Sequence, residues 1–173
     1  MRVTTIGHGA RPLEELLTCL REAEVRTLVD VRRFPGSRRH PQFGRESLAD
    51  AVEGVGMTYR HALELGGRRS GEPGEERFAC LTVAAFRSYA ARMGTQEWQD
   101  ALAEALAEPA PCLLCAETLW WRCHRRLIAE LLHARGVDVR HLLRPGHAEP
   151  HRPWEPVAEA RDGRLFLCGE LVA

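Results

Sequence analysis

The chain contains no lysine and no asparagine, and only 2 tyrosines and 3 methionines. All 24 of its basic residues are arginine. Without lysine there is no Schiff-base chemistry, no pyridoxal-phosphate enzyme and no lysine-bearing phosphate loop. Net charge is absent as well, since 24 acidic residues balance the 24 arginines. Balanced charge argues against a general basic coat for nucleic acid, while leaving room for a local patch. No apolar run approaches the roughly 18 residues a membrane helix needs. No basic segment leads into a long apolar stretch at the start of the chain, so no secretory signal is read there. The expectation is a cytoplasmic protein with no membrane partner and with reduced thiols. Three catalytic signatures are missing too. Neither Cys115 nor Cys123 has an arginine six positions on, as a phosphotyrosine-phosphatase loop requires; there is no Gly-x-Ser-x-Gly elbow and no Gly-x-Gly-x-x-Gly dinucleotide loop.

What is present suits one globular domain. The 173 residues are 45% hydrophobic and 28% charged. Residues 3–6 read as a short buried strand, followed by a helix from Leu13 to about Ala23 with Leu13, Leu16, Leu17 and Leu20 on one face. Residues 25–31 read as a second strand, which makes a βαβ unit with parallel strands. Residues 32–45 form a broken polar loop with five arginines and two prolines. Ser47 is a candidate cap for a helix reaching Gly54. Residues 57–60 suit a short strand, residues 66–76 a Gly-rich mobile loop, and residues 82–93 and 95–108 two helices. An apolar strand at 112–116, a helix from Cys123 to about Arg135 and a strand at 137–143 complete the alternation. Beyond Arg144 four prolines predict a tail wrapped over the surface, with a last strand near 165–168. The architecture expected is α/β: a three-layer, Rossmann-like domain around a mainly parallel sheet over residues 1–144, with 145–173 a Pro- and His-rich extension packed on it.

In such sheets ligands bind beyond the carboxyl ends of the strands. His8, Asp30, Arg32 and Glu117 all follow strand ends, and the loop after Glu117 leads to Cys123, His124 and Arg125. Their convergence is the main sequence argument for a site. His8 and Glu117 are candidate proton carriers; the alternatives are a turn histidine and a loop carboxylate. Asp30 and Arg32 stand two apart on one strand face, so they can pair and aim the guanidinium at an anion, or simply form a strand-end ion pair. Phe34 and Phe43 among the arginines of residues 32–45 suit phosphate gripping with base stacking, or a solvated loop. Cys123, near a helix start and beside three cations, is a candidate thiolate, or a packed cap-region cysteine. Cys112-x-x-Cys115 resembles a zinc knuckle or redox pair, but residues three apart on a strand face opposite ways. His141 reads as a satisfied strand histidine, and Trp120–Trp121 as packing.

Taken together the motifs resemble the domain-of-unknown-function 488 family of bacterial and archaeal cytosolic proteins. The matching pieces are Thr5-Ile6-Gly7-His8; Asp30-Val31-Arg32 with Pro35 and Ser37; Pro41-Gln42-Phe43; Tyr59 with Leu65-Gly66-Gly67; Leu114-Cys115-Ala116-Glu117; Cys123-His124-Arg125; and Val139-Arg140-His141. Gly9 departs from the pattern, which has Ser or Thr there. The resemblance implies an α/β fold and a shared site, and names neither substrate nor cofactor. The first functional expectation is an intracellular enzyme for an anionic, phosphate-bearing, nucleotide-like substrate. In it His8, Glu117 and Cys123 act chemically, and Asp30, Arg32, Ser37, His124 and Arg125 bind. The alternatives are a nucleic-acid-binding module using Arg38 and Arg39, and a metalloprotein using Cys115, Cys123 and His124 with a carboxylate. Oligomeric state is not legible.

Overall fold

A computed structural model describes residues 1–36 and 39–173; the expectations placed on Ser37 and Arg38 fall outside the described residues. Strand β1 (Arg2–Gly7) leads into helix α1 (Leu13–Glu22) and strand β2 (Thr27–Asp30). Helix α2 (Arg45–Glu53) and strand β3 (Thr58–His61) follow, then helices α3 (Ala84–Met93) and α4 (Gln96–Ala107). Strand β4 (Pro111–Cys115), helix α5 (Arg125–Ala134) and strand β5 (Asp138–Arg144) close the alternating part. The periodicity works as physics predicts. Leu16, Leu17 and Leu20 are the buried stripe of α1, and every residue of β2 and β4 is buried, as strands covered on both faces must be.

Among the described residues one sheet has six strands, in the order β3-β2-β4-β1-β5-β6, where β6 is His147–Pro150. β1 to β5 pair in parallel, and β6 adds antiparallel to β5. The order differs from the 3-2-1-4-5-6 of dinucleotide-binding sheets, so the fold is α/β without that strand order. α1 and α2 cover one face, packing on Ile6, Leu28 and Leu114. α3, α4 and α5 cover the other, packing on Val3, Val29 and Leu113. Cys112 joins the first layer and Cys115 the second, as strand alternation requires.

β1 and β4 are neighbours, yet the chain leaves β1 towards α1 on one face and β4 towards α5 on the other. The two loops diverge, and a crevice opens between them at the carboxyl edge.

Several local expectations need correcting. Ser47 lies inside α2, which starts directly after Gly44. The tail is not merely a surface wrap. Beyond β6, strands β7 (Ala158–Arg161), β8 (Arg164–Leu167) and β9 (Glu170–Leu171) form a second, antiparallel sheet. Its Leu165, Leu167 and Val172 are buried in the same core as α5. The Arg126 guanidinium lies 3.5 Å over the Trp154 ring. Cys80 and Cys168 form a disulfide, so reduced thiols are found only at Cys19, Cys112, Cys115 and Cys123. Among the described residues no helix is long and apolar enough to cross a membrane.

Candidate functional site

The crevice is a cavity of about 720 Å³, a size that suits a small organic ligand. The loops after β1, β2 and β4 line it, together with Gly67, Arg68 and the start of α3. Two glycines let the first and third loops meet. A side chain at Gly7 would stand 1.9 Å from the Glu117 carbonyl oxygen. One at Gly9, where φ is +52°, would stand 2.0 Å from the Thr118 hydroxyl. The His8 and Gly9 amides donate to the carbonyls of Cys115 and Ala116 at 3.0 and 2.9 Å, which extends strand pairing to the cavity edge.

His8 is buried, stacked on Phe43 at 4.3 Å, and lines the cavity. Its Nδ1 is 2.9 Å from the Gly9 carbonyl and its Nε2 is 3.2 Å from Nη1 of Arg32. A guanidinium can only donate, so Nε2 accepts and Nδ1 carries the proton. Burial pushes the His8 pKa down to about 4, with the Arg32 charge adding to the effect. His8 is thus a neutral imidazole whose free lone pair is already engaged. This geometry orients Arg32 more directly than it prepares a base.

Asp30 is fully buried and does not reach the cavity. Its carboxylate takes Arg32 in a fork, Nε to Oδ1 at 2.8 Å and Nη2 to Oδ2 at 2.5 Å, and accepts from the Tyr59 hydroxyl at 2.6 Å. Nη1 of Arg32 also donates to the Phe43 carbonyl at 2.7 Å. The expected Asp30–Arg32 pair exists, and Asp30 acts through Arg32. Arg125 was expected among the binding groups but does not line the cavity. It is 1% exposed and lies beneath the cavity, donating from Nη2 to the Glu117 carbonyl and from Nη1 to Thr5 Oγ1 at 3.3 Å. As the first residue of a helix whose next turn faces the core, its side chain goes down into the protein. Glu117 is exposed on the cavity wall, its carboxylate free to face a ligand while its carbonyl holds Arg125.

At the cavity floor Cys115, Cys123 and His124 come together, all buried, with their donor atoms within 4.8 Å of one another. Nδ1 of His124 is 3.8 Å from Cys115 Sγ and 3.5 Å from Cys123 Sγ. Nε2 of His124 is 3.1 Å from the Val31 carbonyl. A carbonyl can only accept, so Nε2 carries the proton and the Nδ1 lone pair faces both sulfurs. Cys123 has extended backbone angles and stands just before α5, with His124 at the cap. Burial raises the Cys123 pKa, but a hydrogen bond from the Cys115 thiol and the Arg125 charge work against it, and Cys123 is held well below the usual thiol range. Cys115, donating to Cys123 and buried, is pushed well above that range.

The rim adds two arginines that the sequence did not single out, Arg68 and Arg122, to two from the arginine-rich loop. Arg33, Arg39, Arg68 and Arg122 line the cavity, and none pairs with a carboxylate among the described residues. Arg68 adopts a positive φ of 56°, which L residues rarely do. Phe34 on the same lining is 64% exposed. Arg33 and Arg39 sit in the arginine-rich loop and were legible; Arg68 and Arg122 come from loops with no periodic signal to aim them. Neither tryptophan of the 120–121 pair lines the cavity. Trp120 instead stacks on His141 at 4.1 Å.

The family model described as Domain of unknown function DUF488 matches residues 12–132, a span that includes β4, Cys115, Cys123 and His124 and leaves out β1 with His8. No curated protein and no solved structure is matched by the chain.

Proposed function

This chain belongs to the DUF488 family, whose description assigns no reaction, and from that premise we propose that it is an enzyme for a small, phosphate-bearing, nucleotide-like molecule bound in the carboxyl-edge cavity. One observation carries the reading: among the described residues, four arginines without a carboxylate partner and the Asp30-anchored Arg32 surround a cavity whose lining holds a single carboxylate, Glu117. Guanidinium groups match phosphate oxygens in pairs, and a rim with excess positive charge draws in anions. The exposed Phe34 ring at the mouth gives a base a surface to stack on. Glu117 is the group placed to move a proton at the ligand, and His8 fixes Arg32.

The test is calorimetric titration with AMP and ribose 5-phosphate. Wild-type protein binds at least one of them, and an Arg39→Ala/Arg122→Ala variant loses about tenfold or more in affinity, near 1.4 kcal/mol. Absence of binding by wild type at millimolar ligand overturns the reading. A binding module for nucleic acid would instead prefer an oligonucleotide, with affinity falling steeply as salt rises.

A further inference from the structure

We propose that Cys115, Cys123 and His124 form an open site for one zinc-class divalent cation, with its free coordination position facing the arginine-lined cavity. The ion itself does not depend on the reading above; only its role towards an anionic substrate rests on it.

Three observations support the site. The first is spacing. A tetrahedral ion with zinc–sulfur bonds near 2.3 Å and a zinc–nitrogen bond near 2.0–2.1 Å sets sulfur and nitrogen about 3.6 Å apart. The two sulfur–nitrogen distances here are 3.8 and 3.5 Å. The second is orientation. A metal-bound histidine typically gives its other ring N–H to a carbonyl or carboxylate, which fixes the tautomer and aims the lone pair. His124 does this through Val31, and the Gly67 backbone packs so closely that an added Cβ would meet Nδ1 at 2.5 Å and Cγ at 2.8 Å. The third is the count. The cluster has three protein donors and no carboxylate among the described residues, and all three line the cavity. Closed structural zinc sites have four protein ligands, whereas three plus an open position is the arrangement of catalytic ones. The carboxylate expected alongside these residues is therefore not needed. Two sulfurs and an imidazole select zinc and its softer neighbours over magnesium or calcium. In the open position an ion would hold water or a substrate oxygen in the cavity that the rim arginines also line.

The experiment is elemental analysis of protein loaded with zinc and desalted without chelator or phosphate. Wild type retains about one equivalent, and Cys115→Ser and Cys123→Ser each lower retention by about tenfold or more. Cys112→Ala, on the opposite sheet face, retains the full amount. Gly67→Ala keeps all three ligands but displaces the ring, and weakens zinc by about 10–100-fold. Should the serine variants fail to fold by circular dichroism, Gly67→Ala and cobalt-loaded wild type decide. Thiolate-to-cobalt charge-transfer absorption is expected, and its absence overturns the site. So does wild type that retains no zinc, or a double cysteine variant that retains it. The two proposals fail separately: Arg39→Ala/Arg122→Ala protein keeps its zinc, and a zinc-free result leaves the arginine reading of nucleotide binding intact.

Discussion

Two histidine clusters lie on either side of β1, and they use the same residue type in opposite ways. Around His124 the ring nitrogen that matters is unspent, directed at two sulfurs on the floor of an open cavity. Around His141 every nitrogen faces another protein group. Thr5 Oγ1 is 2.8 Å from His141 Nδ1, and His141 Nε2 is 3.1 Å from His151 Nδ1. His151 Nε2 stands 3.3 Å from Glu130 Oε1, neither atom making a hydrogen bond. Trp120 closes this second cluster from above, its ring parallel to His141 and its Nε1 donating to Glu149 at 2.7 Å. Arg125 touches both, holding the Glu117 carbonyl on one side and Thr5 on the other. Buried polar groups alone do not mark a site; the direction of their lone pairs and the presence of an opening do.

The contrast implies that damage to the closed cluster shows as lost stability, and damage to the open one as lost binding. The largest expected effect is at Trp120. Trp120→Ala leaves a cavity over His141 and should cost about 3–5 kcal/mol in denaturant unfolding. A cost below about 1 kcal/mol would mean that the lid is dispensable. Next comes acid. Burial, with the His151 and Arg125 charges, lowers the His141 pKa from 6.5 to about 3. Between these values the unfolded chain binds the proton and the folded chain does not, so stability falls as pH drops from about 6.5 towards 3. The slope from this group is at most about 1.4 kcal/mol per pH unit. His141→Phe should flatten the stability–pH curve in that window relative to wild type; an unchanged slope would remove His141 from the account.

A smaller effect is expected at the loop junction. Gly9→Ala collides with Thr118 and holds alanine at positive φ, for a loss of about 1–3 kcal/mol. Thr118→Ala in the same chain should recover part of it in thermal melts. The smallest effect belongs to the rim. Arg122→Ala should move stability by no more than about 0.5 kcal/mol while weakening nucleotide binding. A rim substitution as costly as Trp120→Ala would erase the distinction between the two regions.

Much of this is legible in the sequence. Periodicity placed α1 and α5, and continuous apolar runs placed β1, β2 and β4 within a residue or two. The i, i+2 spacing of Asp30 and Arg32 gave their pairing, and strand alternation separated Cys112 from Cys115. The side-chain direction of Arg125 was not legible from helix phase. A cation beside Cys123 in the sequence was read as a cation beside the ligand, yet one helical step turned it under the floor. Arg68 and Arg122 reach the rim through loops, where sequence carries no period. The tail was legible only in part: the strand expected near 165–168 is β8, while the prolines hid β7 and β9 and the sheet that the three strands form. Spacing cannot reveal a disulfide pairing between residues 88 apart.

That disulfide also makes the molecule a ring with two loose ends. The closed circuit from Cys80 to Cys168 contains β4, α5 and β5, hence Cys115, Cys123 and His124. His8, Arg32, Arg39 and Arg68 lie on the open N-terminal arm. A protease cut inside the circuit leaves one covalent molecule on a non-reducing gel, whereas a cut in residues 68–77 releases the arm as a separate chain. The cavity is thus assembled from two topologically distinct pieces: the ring holds its floor, and the arm carries most of its charge.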